Sequence, residues 1–324
     1  MKGAEKGMLV LSAIKNMKED IRARLEADYP EIDFIFSYGI EEAKEHLPEA
    51  EVFITYGEDL NDELIKQAKN LKWIMVISAG LDQMPFRQIE EQGILVTNAR
   101  GIHAVPMAEY AFSMLLQVYR QAKKLFEFEK EHSWQRKLPM EEISGKTMAI
   151  VGTGAIGQEV ARIAKAFHME TLGVSKTGND KPYFDKTYEN AALTNVISNA
   201  DFVVSVLPST SETRELFQDE HFKAMPTHAV FLNMGRGDLV KSETILNAVR
   251  AGEIAHVVLD VFEEEPLPRD HPFWDEENVT ITPHLSGSSS QYQYRAFEIF
   301  FDNLEKYLQG EKDYINKIDP KRGY

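Results

Sequence analysis

Three side chains, far apart in the chain, have the types that proton transfer beside a small carboxylate requires. Arg236 lies in Asn233-Met234-Gly235-Arg236-Gly237. Glu265 closes the run Glu263-Glu264-Glu265 immediately before Pro266. His284 lies in Thr282-Pro283-His284-Leu285-Ser286-Gly287. A guanidinium grips a carboxylate through a planar fork of N–H donors. An imidazole titrates near neutral pH and can hand a proton to a developing alkoxide. A carboxylate beside that imidazole fixes its orientation and favours the protonated ring. Each residue alone has a bland alternative: Arg236 as a loop cap, Glu265 as one of three acids on a solvated turn, His284 as a core histidine.

Whether the three converge depends on the elements that carry them. The runs AVFLNM (229–234), VVLDVF (257–262) and VTITP (279–283) read as strands. Each candidate therefore follows a strand, and all three reach the same carboxyl edge, where open α/β sheets bind ligands. Upstream, TMAIVG (147–152), TLGVS (171–175) and FVVSVLP (202–208) continue the pattern, with EVARIAKAF as an intervening helix. The first hundred or so residues repeat the rhythm: MLVLSAI, DFIFS, VFITYG, WIMVIS and ILVTNA alternate with amphipathic stretches. Residues 102–125 read as one long apolar helix, with Pro106 in its first turn. The expected architecture is α/β, two doubly wound parallel-sheet domains with a cleft between them. Residues 1–98 and 288–324 form one domain, and residues 99–287 the other.

Gly152-Thr153-Gly154-Ala155-Ile156-Gly157 fits G-x-G-x-x-G. The pattern is weak alone, but here it follows an apolar strand and opens an amphipathic helix expected over 158–167. Gly152 permits a tight turn, Gly154 lets the backbone approach a pyrophosphate, and Gly157 allows close helix–strand packing. The helix N-terminus adds free N–H groups for phosphate at Ala155 and Ile156. The end of the following strand discriminates between the two nicotinamide cofactors. An acid there would bind the ribose 2′-hydroxyl and repel a 2′-phosphate. The sequence instead has Ser175-Lys176-Thr177, with no acid before Asp180. A cation flanked by two hydroxyls suits a 2′-phosphate, so NADP is favoured over NAD. The alternative is that Lys176 is a solvated surface lysine.

Bulk properties exclude several function classes. The net charge of the 324-residue chain is −16, which disfavours nucleic acid and anionic membranes as partners. There are no cysteines, hence no disulfide, thiol nucleophile or thiolate-bound metal, and no metal is expected. No apolar run approaches the roughly 20 residues of a membrane span. MLVLSAI runs straight into Lys15, Lys18, Glu19 and Asp20 without a cleavage site, and reads as a strand rather than a signal core. A cytoplasmic location is expected.

The order and spacing of NMGRG, LDVFEEEP and TPHLSG resemble the D-isomer-specific 2-hydroxyacid dehydrogenases. That family includes glyoxylate and hydroxypyruvate reductases and D-lactate, D-3-phosphoglycerate and formate dehydrogenases. The resemblance runs from Ser78-Ala79-Gly80-Leu81-Asp82 to the histidine segment. It implies a Rossmann cofactor domain and a flavodoxin-like substrate domain. It also implies that Arg236, Glu265 and His284 are catalytic, with the glutamate before the proline, not Glu263 or Glu264, at the matching position. Ala79 and Gly80 would present backbone amides to the substrate carboxylate; a plain strand-to-helix turn is the alternative. Leu207 and Pro208 would border the nicotinamide side, and Met234, Gly235 and Gly287 would touch cofactor. Asp260 would contact the nicotinamide amide, with a buried capping acid as the rival reading. A homodimer, with the helix from about Pro106 in its interface, is implied as well.

The implied reaction moves a hydride between NAD(P)H and a small 2-oxo/2-hydroxy acid of the D series, with glyoxylate or hydroxypyruvate the expected substrate. A different class remains open: a dinucleotide-sensing binding protein without turnover, like the corepressors that share this fold. The intact Arg236, Glu265 and His284 set argues for the enzyme, because a sensor has no need of all three.

Overall fold

The central strands of this chain are apolar on both faces. Runs such as Val52–Thr55, Trp73–Val76, Phe202–Ser205 and Val230–Asn233 are buried at every position, the signature of parallel sheets covered by helices on each side. The computed structural model describes residues 7–81 and 83–321. They divide into two units, the first reaching Ile102 and resuming at Ser289, the second spanning His103–Ser288.

The first unit contains β1 (Leu9–Ser12), α1 (Glu19–Asp28), β2 (Asp33–Phe36), α2 (Ile40–Ala43), β3 (Val52–Thr55), α3 (Asp62–Gln67), β4 (Trp73–Val76), α4 (Phe86–Gln92) and β5 (Leu95–Asn98). Its parallel sheet has the order β2-β1-β3-β4-β5, the flavodoxin-like arrangement. One face packs against Ile21 and Leu25 of α1, the other against Ala43, Ile65 and Ile89 of α2, α3 and α4. Trp73 ties the first face together, donating its indole N–H to Thr97 at 2.9 Å and stacking on Phe300. The first crossing between units falls after Ile102 rather than residue 98, because Ala99 and Ile102 are buried in this core.

The second unit contains α5 (Ala104–Tyr119), α6 (Ala122–Lys130), β6 (Thr147–Val151), α7 (Ala155–Ala166), β7 (Glu170–Ser175), β8 (Lys186–Glu189), α8 (Leu193–Ile197), β9 (Phe202–Ser205), α9 (Asp219–Ala224), β10 (Val230–Asn233), α10 (Ser242–Arg250), β11 (His256–Leu259) and β12 (Val279–Ile281). The sheet order is β12-β11-β10-β9-β6-β7-β8, with every pairing parallel. This is the Rossmann order with one strand added beyond the usual six, and its switch point lies between β6 and β9. Helices α5 and α7 cover one face and α8, α9 and α10 the other. After Ser288 the chain re-enters the first unit as α11 (Tyr292–Gln309), which buries Phe297, Phe300 and Leu304 there.

Two helix boundaries differ from the sequence reading. The helix expected over 102–125 is two, because Gln121 takes left-handed φ of 54° and the chain turns at Arg120. After the break, α6 buries none of its residues, and Phe126 is 59% exposed. The helix expected from 158 begins at Ala155, since Gly154 already serves as its N-cap.

Candidate active site

The three strands β10, β11 and β12 lie side by side in register, with Asn233 opposite Leu259 and Leu259 opposite Ile281. Neighbouring strands are about 4.8 Å apart. Arg236, Glu265 and His284 leave the carboxyl ends of these strands within a few residues, so the sheet delivers them to one edge.

Glu265 and His284 are joined directly. The ring Nδ1–H donates to Glu265 Oε2 at 2.8 Å, and the second carboxylate oxygen accepts the Phe262 amide at 3.0 Å. With Nδ1 committed to Glu265, Nε2 is the ring nitrogen outside that bond. The imidazole and carboxylate side chains are 50% and 36% exposed, which gives a small substrate access to the pair.

Behind His284 lies a buried network. Asp260 is fully buried and organises the turn that bears the imidazole. Its Oδ1 accepts the Thr282 hydroxyl at 2.6 Å and the Leu285 amide at 2.9 Å, and Oδ2 accepts the Ser286 amide at 2.9 Å. Its backbone carbonyl accepts the His284 amide at 2.8 Å. The Thr282 proton goes to the carboxylate, so the contact of 2.6 Å between Tyr110 Oη and Thr282 Oγ1 is donated by the tyrosine. Burial, only partly offset by Thr282, pushes the Tyr110 hydroxyl pKa well up, which keeps that donor protonated. These bonds hold His284 at φ +50°, a left-handed conformation that a histidine adopts at some cost. The Asp260 carboxylate, fully buried, thus caps the turn that bears His284.

Arg236 is held from behind. The Asn233 side chain donates to the Arg236 carbonyl at 2.9 Å and accepts the Gly235 amide at 3.1 Å, while Arg236 Nη1 donates to the Gly235 carbonyl at 2.8 Å. The flanking glycines are a packing requirement. A Cβ on Gly237 would sit 1.9 Å from the Phe262 carbonyl oxygen, and one on Gly235 would sit 2.5 Å from that of Leu207. The arginine loop is thus pressed against the loop that leads to Glu265 and against the end of β9. Met234 is buried in the same core as α5 and α7.

The glycine loop fits a pyrophosphate. Gly152 has φ +110°, and a Cβ on Gly157 would collide with the Gly152 carbonyl at 1.9 Å. Among the described residues, nothing lies within 4 Å of where a Gly154 Cβ would point, so the backbone is open there to an incoming ligand. Helix α7 presents Ala155 and Ile156 in its first turn at the same place. Ser175 ends β7, and Lys176 beyond it is paired with Glu212 at 2.7 Å. Thr177 is exposed beside it. Leu207 and Pro208 follow β9, and the Thr213 hydroxyl pins the Pro208 carbonyl at 2.6 Å. Gly287 lies against His103, whose Nδ1 is 3.3 Å from the glycine carbonyl. Burial, more than the nearby Arg236 charge, depresses the His103 pKa.

In the first unit, Ala79 and Gly80 form a loop fixed through its carbonyls, Ala79 by the Asn98 amide at 3.0 Å and Gly80 by the Ser78 hydroxyl at 2.9 Å. Asp82 lies outside the described residues. Sequence reasoning missed the supporting residues Asn233, Thr282 and Tyr110, as well as Glu212. It also missed Glu263, which reads as a surface acid but accepts the Ser242 amide at the start of α10.

Comparison with known proteins identifies the group to which this site belongs. The NAD binding domain of the D-isomer specific 2-hydroxyacid dehydrogenases matches residues 112–286. The chain belongs to that family. It is 31% identical over 280 residues to a glyoxylate reductase of Pyrococcus furiosus, covering 84% of this chain and 83% of the relative. A family member of known structure from Aeromonas salmonicida superposes with a TM-score of 0.85 at 32% identity, covering 97% of this chain and 99% of the other. A structure described as an NADPH-dependent glyoxylate/hydroxypyruvate reductase from Sinorhizobium meliloti, in complex with NADP and sulfate, gives 0.79 at 26% identity, covering 98% and 100%. As a member of the family, the protein is an NAD(P)-dependent 2-hydroxyacid dehydrogenase.

Proposed function

We propose that the protein reduces a small 2-oxo acid, glyoxylate or hydroxypyruvate, to the D-2-hydroxy acid, and uses NADP(H) in preference to NAD(H). The observation that carries the reading is the bond of 2.8 Å between His284 Nδ1 and Glu265, which commits one ring nitrogen and leaves the other for proton transfer. The nicotinamide, when bound, supplies the hydride that adds to the substrate C2. His284 Nε2 gives its proton to the carbonyl oxygen as that oxygen becomes a hydroxyl, and in the oxidative direction takes it back. Glu265 holds the ring and balances its charge. Arg236 binds the substrate carboxylate and polarises the carbonyl. Ala79 and Gly80 keep the substrate role that the resemblance assigns.

Gly152, Gly154, Ala155, Ile156 and Gly157 would hold the pyrophosphate, and Ser175, Lys176 and Thr177 the adenosine ribose. Leu207, Pro208, Met234, Gly235 and Gly287 would line the nicotinamide end. The Sinorhizobium meliloti structure, described as NADPH-dependent, and the Pyrococcus furiosus glyoxylate reductase support both the cofactor and the substrate assignment. A homodimer in the cytoplasm completes the proposal, with α5 and the exposed Leu125 and Phe126 of α6 as the apolar surface to be covered.

The test is consumption of NADPH and of NADH at 340 nm with a panel of 2-oxo acids. Turnover of glyoxylate or hydroxypyruvate, faster with NADPH, is the expected result. Tight cofactor binding without turnover of any acid would instead favour the dinucleotide-sensing protein. Lys176→Asp should move the preference toward NADH; an unchanged ratio would reject the role of that lysine.

A further inference from the structure

The ion pair at the end of β7 concerns more than Lys176. Its ammonium meets the Glu212 carboxylate at 2.7 Å. The two side chains come from the loops after β7 and after β9, and these strands flank β6 in the sheet. The pair therefore spans the carboxyl end of β6, where the glycine loop begins.

The backbone that presents Glu212 is well fixed. Thr213 Oγ1 donates to the Pro208 carbonyl at 2.6 Å and accepts the Thr210 amide at 2.9 Å. Ser209 donates to Asp238 at 2.6 Å, and Arg214 pairs with the same carboxylate at 3.2 Å. The side chains of the pair itself are open to solvent, 72% exposed for the lysine and 58% for the glutamate. Such a bond is weak, screened by salt and readily exchanged. Asp180 accepts the Thr187 hydroxyl, and Glu189 packs against Gly178. Arg214, the nearest arginine in sequence, is committed to Asp238.

We propose that Glu212 is a specificity-determining residue that occupies Lys176 in the place a ribose 2′-phosphate would take. The inference rests on the nucleotide site assigned above and deepens it. A dinucleotide with a free 2′-hydroxyl leaves the Lys176–Glu212 pair intact. One with a 2′-phosphate, which carries close to two negative charges near neutral pH, must displace the carboxylate and then sit beside it. Glu212 thereby holds down the affinity for NADP(H) and leaves that for NAD(H) untouched, so that the chain keeps both cofactors in use.

The experiment is calorimetric titration of the full chain with ADP-ribose and with 2′-phospho-ADP-ribose at low ionic strength. Neither ligand undergoes redox chemistry, so binding is read without turnover. Glu212→Gln should tighten 2′-phospho-ADP-ribose roughly threefold or more, as removal of one exposed opposing charge allows, and leave ADP-ribose unchanged within about twofold. The gain should shrink in high salt. Glu215→Gln, which removes an equal charge from the exposed pair with Lys241 at 3.0 Å, should leave both affinities as they are. Equal shifts for both ligands, no shift for either, or the same gain from Glu215→Gln would overturn the proposal while the nucleotide site stands. Failure of the unaltered protein to bind either ligand would overturn both.

Discussion

At the scale of the residue, the proposed reaction divides binding from proton transfer. In the proposed role Arg236 works through geometry, since a planar fork meets both carboxylate oxygens and a lysine ammonium does not. Arg236→Lys is accordingly expected to keep the charge yet lower kcat/KM by about ten- to a hundredfold, mostly through KM, in steady-state kinetics with hydroxypyruvate. A drop confined to kcat would contradict the carboxylate role. The types of these residues were legible from sequence because their chemistry narrows the choice. The residues that hold them were not. Asn233 looks like the last position of a strand, and Tyr110 like one more apolar residue of a buried helix. Only the fold reveals that one brackets the arginine peptide and the other reaches Thr282.

At the scale of the element, the histidine turn is a strained structure secured by a buried carboxylate. Thr282→Val removes the hydroxyl between Tyr110 and Asp260 and strands one partner on each side. Loss of a buried hydrogen bond of this kind costs about 1–3 kcal/mol, so a lower urea midpoint and a lower kcat are expected together. Full activity with lost stability would show that the network supports the fold alone. A second element-scale prediction concerns the edge of the sheet. His256 Nε2 contacts Thr280 Oγ1 at 2.9 Å, and burial, aided by Lys123, pushes its pKa down to about 4 from 6.5. The folded state therefore keeps this ring neutral while the unfolded chain protonates it. Its stabilising contribution is whole above about pH 6.5 and is lost as pH falls toward 4. His256→Gln should flatten the decline in thermal midpoint between pH 7 and 5; an unchanged slope would assign that decline to other groups. The strands and the glycine loop were readable because burial on both faces leaves continuous apolar runs and because Gly152 and Gly157 satisfy steric demands no other residue meets. The break at Gln121 was not, since no glycine or proline marks it and a glutamine adopts left-handed backbone only rarely.

At the scale of the whole molecule, the alternation of strands and helices makes the class of both units legible in the sequence. The ends of the units were set less sharply, because Ala99 and Ile102 join a core built mostly of residues far away in sequence. Oligomeric state belongs to this scale too. Phe126 and Leu125 of α6 are 59% and 41% exposed on a helix with no buried face. If this surface is covered by a second copy, Phe126→Asp should lower the mass seen by sedimentation velocity from dimer toward monomer at micromolar concentration. Identical sedimentation of both proteins would place the interface elsewhere. The central claim is that His284, aligned by Glu265, transfers the proton in a 2-oxo acid reduction. Its most direct test is His284→Gln, measured for NADPH oxidation with glyoxylate and hydroxypyruvate and, separately, for NADPH binding by fluorescence. If His284 has this role, kcat falls about 100-fold or more with the dissociation constant for NADPH nearly unchanged. A kcat close to that of the unaltered enzyme, with cofactor still bound, would contradict it.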